Sequence, residues 1–512
     1  MGSNPILTAK ILNSNFRHTV NTQNSQLKAP LIVGISFVLG LLFDYFFNGK
    51  IPGIGFPIYV GLILVGLLII STYSKRHISK QILWLLIPLI FFSSMVFVRS
   101  SVLLTFLNIV ASISLLFLIA EISCIGVLKN LFVSDYVKIT LVPFKFIRSF
   151  FQTLPIIFKF RGDSTKPKVS SHVVKGILMA IPVVVIFLVL FSSADLIFQK
   201  YLSNVIHINI DPDTIFRSIL ILCVTSALIG AYSYTLGKKE SSITPSTTDT
   251  SPTVGHIETS ILLGTVNVLF FAFVLLQLLY LFGGENTITS QGFTYAEYAR
   301  KGFFELIAVA VISFLLLLTT EKYTAKKDTD HTLMFRLLSS ALIVQVLLIM
   351  VSAFKRLSLY EEAYGFTTLR LYSHAFIILL AVIFILLLYK IHKDKRENAF
   401  AFRAFISIVA FLVVMNILNP DVLIAQRNIG RFEATGTLDT QYLGSLSDDA
   451  LPETVKLLDS SNEDLKKSFA QELYSRTRNN SSFFSQWQSL NISRMNADTI
   501  LKLRIADIET LK

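Results

Sequence analysis

Eleven stretches of this chain are long and apolar enough to rule out most soluble folds. They cover residues 31–47, 53–71, 81–98, 102–121, 176–193, 215–235, 259–282, 303–320, 333–353, 371–389 and 400–418. A helix needs about 20 mostly apolar residues to cross the hydrocarbon core. Lipid offers no partner to a bare N–H or C=O, so runs of this length read as membrane-spanning helices. The expected fold is therefore all-α and polytopic, with about 11 transmembrane helices. Composition agrees: 15% of residues are charged, against roughly a quarter in a soluble domain. The first run follows about thirty polar residues and ends in "FDYFFNGK" without a small-residue cleavage pattern. It reads as a retained helix, not a removed signal.

The net charge of +13 is not a nucleic-acid signature here, because the surplus sits in loops between the spans. With the N-terminus placed inside, the inner segments hold 25 Lys and Arg and the outer loops hold 9. That bias orients the chain with a cytoplasmic N-terminus. Eleven spans then put the C-terminal tail outside. The organisation expected is a cytoplasmic segment (1–30), four spans (31–121), a basic cytoplasmic loop (122–175), a seven-helix membrane domain (176–418) and a soluble helical tail (419–512).

Within the inner loop, "VKITLVPFKFIRSFFQTLPIIFKF" mixes Lys and Arg with Phe, Ile and Leu and is broken by Pro143 and Pro155. Such a pattern suits a segment lying on an anionic inner leaflet, the lipid contact expected for 138–160. Phe144, Ile147, Phe151 and Leu154 recur at helical spacing and are its lipid-facing residues.

Polar residues concentrate at the opposite, outer face. "YAEYARKGF" puts Glu297, Arg300 and Lys301 at the head of one span, and "KRLSLYEEAYGFTTLRLYSHAF" puts Arg356, Glu361, Glu362, Arg370 and His374 before another. Asp195 ends the 176–193 span on the same side. These nine residues form the candidate binding site. Both stretches read Tyr-x-Glu, then Gly-Phe, then an apolar run, which makes the two hairpins candidates for a repeat. The span interiors hold only neutral polar groups: Asn108, Asn267, Gln277 and Gln345. Ion-driven carriers usually place ionisable groups there.

"SSAD" at 192–195, "FTYAEYARKGFFEL" at 293–306, "RLSLYEEAYGFTTLRL" at 356–371 and "NPDVLIAQRNI" at 419–429 resemble a group of uncharacterised bacterial membrane proteins, domain of unknown function 4153/4173. The resemblance covers roughly residues 170–450. It implies a multi-pass plasma-membrane protein, and it implies no activity, cofactor or catalytic residue.

The function expected is that of a permease or solute-binding membrane protein with a polar site at the outer face. Arg beside carboxylates and tyrosines suits a small polar or zwitterionic solute. Two other readings stay open: a membrane-embedded enzyme acting on lipid-linked or envelope substrates, with Glu361 and Glu362 as acid and base, and an assembly or sensory component that binds an envelope protein. No HExxH or nucleotide loop is present, and the two cysteines, Cys124 and Cys223, form no zinc motif. No cofactor is implied. The orientation makes one outcome specific. In intact cells, a Ser170→Cys variant is expected to resist a membrane-impermeant thiol reagent; labelling from outside would contradict the assignment.

Overall fold

The computed structural model describes residues 29–74, 80–125, 128–157, 212–237, 255–282, 303–324, 329–393, 397–480 and 486–511, with isolated positions between 184 and 200. Ten helices among them are long and apolar enough to cross a membrane. They are α1 (Ala29–Phe47), α2 (Gly55–Tyr73), α3 (Lys80–Val98), α4 (Val102–Ile125), α7 (Pro212–Gly237), α8 (His256–Phe282), α9 (Phe303–Tyr323), α10 (Thr329–Tyr364), α11 (Thr368–Lys393) and α12 (Glu397–Leu418). Two shorter helices, α5 (Val133–Ile139) and α6 (Val142–Ile157), lie between α4 and α7. The described residues contain helices and no β-strand, so the chain is an all-α, multi-pass integral membrane protein. The span expected over 176–193 falls almost wholly outside the described residues.

Two apolar cores organise the spans. One joins α8 to α12 around Leu263, Leu317, Leu342, Phe384 and Leu387, all fully buried. The other joins α2, α3, α4 and α12 around Leu89, Phe92, Leu104, Leu118 and Ile122. Helix α12 gives Phe400 to the first and Leu412 and Met415 to the second, which makes it the seam between them. A smaller cluster packs α1 on α2 and α7 through Leu39, Tyr59, Ile229 and Tyr232.

One of the interior polar residues expected to lie mid-span, Asn108, is held by a residue that was not among them, Asn416 of α12. Asn108 and Asn416 exchange amide hydrogen bonds, each 2.8 Å, inside the bundle. Asn267 donates to the carbonyl of Leu338 at 3.1 Å and ties α8 to α10. A bond of this kind is worth about 0.6 kcal/mol in a membrane, because the separated helices also find partners. Its role is register more than strength.

The two ends of the bundle differ. At one end Lys145 pairs with Glu121 at 2.9 Å, and Tyr234 donates to the same carboxylate at 2.6 Å. Lys390, in the last turn of α11, pairs with Glu321 at 2.6 Å. The Lys145–Glu121–Tyr234 contacts hold α6 against α4 and α7, and Lys390–Glu321 ties α11 to α9. Helix α6 runs without a break from Val142 to Ile157, correcting the expectation that prolines interrupt it. Pro143 stands in the first turn, where no amide hydrogen is needed. Phe144, Ile147 and Phe151 are exposed on one side, while Val142, Phe146 and Thr153 are buried. The side chain of Leu154 lies outside the described residues. At the other end the tail, residues 419–511, folds over the bundle on a core of its own that includes Ile424, Leu451, Phe469, Leu473 and Ile508.

The α6 pattern yields a contrast. A spin label replacing Phe151, 45% exposed, is expected to collide with oxygen dissolved in lipid, while one replacing Thr153, 9% exposed, is not. A freely mobile, water-accessible label at Phe151 would remove the idea that α6 lies on a leaflet.

Candidate functional site

Helix α3 ends at Val98 and α4 begins at Val102, so only Arg99, Ser100 and Ser101 turn the chain. Each helix end exposes several backbone groups that have no partner within the helix. Three residues cannot satisfy them, and the tail does. Asp449 accepts from the amides of Ser100 at 2.7 Å and Ser101 at 3.0 Å, from the Ser100 hydroxyl at 3.0 Å and from Ser493 at 2.5 Å. Arg99 approaches it at 3.7 Å, and the Asp449 side chain is wholly buried. A carboxylate at a helix N-terminus also meets the positive end of the α4 dipole. Asn491 and Ser493 donate to the carbonyls of Val96, Arg99 and Val98, covering the end of α3. Arg99 itself reaches the Asn416 carbonyl through two guanidinium nitrogens, at 3.0 and 2.7 Å.

The tail grips two more turns in the same way. Between α1 and α2, the amide of Ile54 donates to Leu490 O at 2.9 Å. Gly53 is required there, because a Cβ would stand 2.4 Å from that carbonyl. Between α10 and α11, Asn428 brackets Phe366, accepting from its amide and donating to its carbonyl, both at 2.8 Å. Arg431 donates to the carbonyls of Glu362 and Ala363. Gly365 turns the chain with φ of +81°, a conformation other residues rarely adopt. Asn428 and Arg431 lie on the tail's first helix, α13 (Pro420–Thr435), which leaves α12 through Asn419 at φ of +51°.

Under this clasp lies a chamber of about 680 Å³, within the size range of small-molecule sites. The starts of α4 (Ser100, Ser101), α11 (Thr368) and α13 (Asp421) line it, with Tyr442, Ser447, Asp448, Arg476 and Arg494 from the tail. Asp421 is 4% exposed. Its Oδ2 accepts from the Ser447 amide at 3.3 Å, and its Oδ1 has no hydrogen-bond partner among the described residues. Burial pushes its carboxyl above the usual carboxylate range, against the opposing pull of hydrogen bonds from Ser447 and Ser101. Arg494, on the tail helix Ile492–Leu503, is pulled the other way: burial lowers its basicity, and the neighbouring Asp448 and Asp449 charges only partly restore it. Among the described residues Arg494 forms no ion pair. Arg476 does, with Asp448 at 2.7 Å. The chamber is thus lined by a carboxylate with one buried, unpartnered oxygen and by a guanidinium that has no ion pair among the described residues, both desolvated. No group of three His, Cys, Asp or Glu among the described residues is placed to hold a metal ion.

The nine residues expected from sequence divide. Glu297, Arg300 and Lys301 lie outside the described residues, and with them the proposed meeting of the two outer stretches and their comparison as a repeat. Asp195 is exposed and caps its own turn, accepting from the amides of Ile197 and Phe198. The stretch from Lys355 to Tyr364 is the end of α10 and not a loop, which corrects the expected boundary. Arg356 is buried there and donates to Gln277 Oε1 at 3.0 Å; Ser352 donates to the same oxygen. Glu361 is 4% exposed and its Oε2 meets His374 Nδ1 at 3.2 Å. Adjacent residues on a helix point about 100° apart, and Glu362 accordingly faces outward. Arg370 lies over the Tyr360 ring at 4.0 Å and donates to the Gly365 carbonyl. Sequence reasoning thus missed the chamber. No local signal pointed to it: "NPD" after the last span reads as an ordinary helix start, with Pro at the first position and an acid in the first turn.

A family model described as a domain of unknown function (DUF4153) matches residues 86–457. The match starts well before residue 170, where the sequence resemblance began, and takes in the α3–α4 turn as well as Asp421 and Asp449. No curated protein matches the chain, and no solved structure does.

The clasp makes its own test. Removing one partner from a buried charged network costs about 3–5 kcal/mol, so Asp449→Ala is expected to release the tail. Limited trypsin digestion should then cut at the arginines and lysines of residues 427–504 while the spans stay protected. A digestion pattern unchanged from the parent protein would show that Asp449 does not hold the junction.

Proposed function

This chain belongs to the DUF4153 family, and we propose that it is a ligand-binding membrane protein of the permease or solute-receptor type, with the chamber beneath the tail as its site. The observation that carries the reading is the state of Asp421: a carboxylate 4% exposed, with one oxygen unpartnered, lining an open cavity. A buried polar atom left without a partner costs about 1–3 kcal/mol. Folding alone gives no return on that cost, whereas a ligand that supplies the missing donor does. Arg494 complements it. A guanidinium desolvated by burial and lacking an ion pair is a receptor for an anion. Together they suit a ligand carrying both a donor cation and an anion. Thr368, Tyr442 and Ser447 line the same space and offer neutral hydrogen bonds for orientation.

The residues first expected to form the site take a supporting part. Glu361 with His374 braces the α10–α11 hairpin whose turn delivers Thr368, and Arg356 with Gln277 ties that hairpin to α8. In this reading the protein sits in the bacterial plasma membrane, the N-terminus is cytoplasmic and the tail covers the outer face. Ligand therefore arrives on the outer side.

Asp421 also sets a pH signature. The folded state holds its proton to higher pH than the unfolded chain does. The folded state therefore binds more protons between the ordinary carboxylate pKa and the raised one. The contribution is fully favourable below that window and is lost as pH rises through it. Asp421→Asn is expected to remove that slope and to raise the melting temperature of the unliganded protein at neutral pH, the usual mark of a residue kept for function. The same variant should lose any melting-temperature rise produced by free zwitterions such as glycine or glycerophosphoethanolamine at millimolar concentration. A less stable Asp421→Asn protein that keeps such a response would defeat the assignment.

A further inference from the structure

The chamber wall is not polar throughout. Val102, Leu103 and Phe106, from the first two turns of α4, line it together with Ile51. Val102 is 84% exposed, Leu103 39% and Phe106 59%. In an integral membrane protein such residues at the start of a span face acyl chains. The same cavity therefore runs from buried, charged groups of the tail to apolar residues on the lipid side of α4. A water-borne solute has no use for that side. A closed solute pocket would keep Phe106 inside, packed against a neighbouring helix.

We propose that the ligand is a membrane amphiphile with a zwitterionic headgroup, and that it enters sideways from the leaflet on the tail side. The proposal rests on the binding reading above. The headgroup's primary ammonium donates to Asp421 Oδ1, its phosphate pairs with Arg494, and its chains lie along Val102, Leu103 and Phe106. The order of groups follows the membrane normal: Ser100 and Ser101 stand at the start of α4, at headgroup depth, and Phe106 lies one turn deeper. Ammonium chemistry is specified by Asp421. Its unpartnered oxygen needs a hydrogen-bond donor, and a cationic one complements the carboxylate best; a primary ammonium supplies charge and donor together, whereas a quaternary ammonium has no N–H to donate. A headgroup with an anion and no cation would leave Asp421 unpaired beside a second negative charge.

The same headgroup chemistry exists free in water, so the test has two arms. In the first, the full-length protein in nanodiscs is exchanged against phosphatidylethanolamine, phosphatidylcholine and phosphatidylglycerol, and retained lipid is counted by native mass spectrometry. Retention of phosphatidylethanolamine is expected to exceed that of the other two by about tenfold, the factor one charge-assisted hydrogen bond supplies. Asp421→Asn and Arg494→Gln should each abolish the preference. The folded state of each variant is checked by its melting curve. Equal retention of the three lipids by the parent protein overturns the proposal. In the second arm, glycerophosphoethanolamine, the same headgroup without chains, competes for the site. It should displace the lipid only at concentrations at least about a hundredfold higher, since two buried chain segments add several CH₂ groups at about 0.8 kcal/mol each. If the chainless compound binds as tightly as the lipid, the amphiphile proposal fails and the binding reading stands. If neither binds, both fail.

Discussion

The rest of the structure depends on one buried carboxylate. Asp449 sits where α3 turns into α4 and supplies acceptors for the amides of Ser100 and Ser101. A three-residue turn between two spans leaves helix ends exposed at a depth where water is scarce and unpaired backbone groups are costly. The usual remedy is a longer loop that folds back on itself. Here the remedy comes from a segment nearly 350 residues later in the chain. The same solution recurs at the α1–α2 turn through Leu490 and at the α10–α11 turn through Asn428. The tail is therefore less an appended domain than a lid whose backbone and side chains complete three membrane hairpins.

That clasp creates the chamber as a consequence. Side chains that satisfy helix ends leave space between them, and the starts of α4, α11 and α13 face the same volume. Most buried polar atoms there are paired: Asp448 by Arg476, Tyr442 by the Thr368 amide. Two groups are less completely paired among the described residues: Asp421 has no partner at Oδ1, and Arg494 donates to the Ser489 carbonyl at 3.5 Å but forms no ion pair. Both are desolvated in opposite charge senses, and they do not neutralise each other. A fold selected for stability alone would replace either with an apolar residue of similar size, which is often neutral or favourable at buried sites. Their presence in an open cavity that reaches the lipid side of α4 is what gives the site its chemistry.

The spans were legible in the sequence because lipid leaves little freedom: twenty apolar residues have one way to satisfy their backbone. The exposed face of α6 was legible for a similar reason, since Phe144, Ile147 and Phe151 repeat at helical spacing. The helical character of the tail was legible too, and its described residues are helices joined by short turns. The chamber was not. Ser100, Thr368, Asp421, Tyr442, Arg476 and Arg494 come from six segments, and each alone passes for a cap or a surface charge. Arg356, Glu361 and His374 drew notice as charges near an interface, yet the helical run of α10 to Tyr364 buries them. Composition marks where charge is unusual; only three-dimensional proximity tells which charges lack a partner. Asn419 carried a further hidden cue. Its left-handed backbone sends α13 back over the bundle, and nothing local in "LNPD" announces the direction.

The central claim is that the tail and the α3–α4 turn form one locked unit in the membrane. Hydrogen–deuterium exchange of the amides of Ser100 and Ser101, measured in nanodiscs, reads that lock directly. Both amides are bonded to a fully buried carboxylate. Local opening energies range from near zero in loops to the global value in cores. The account predicts protection of these two amides comparable to that of the α4 interior. Exchange at the rate of a solvated loop would contradict it, because a turn that breathes freely has no clasp above it and no chamber beneath.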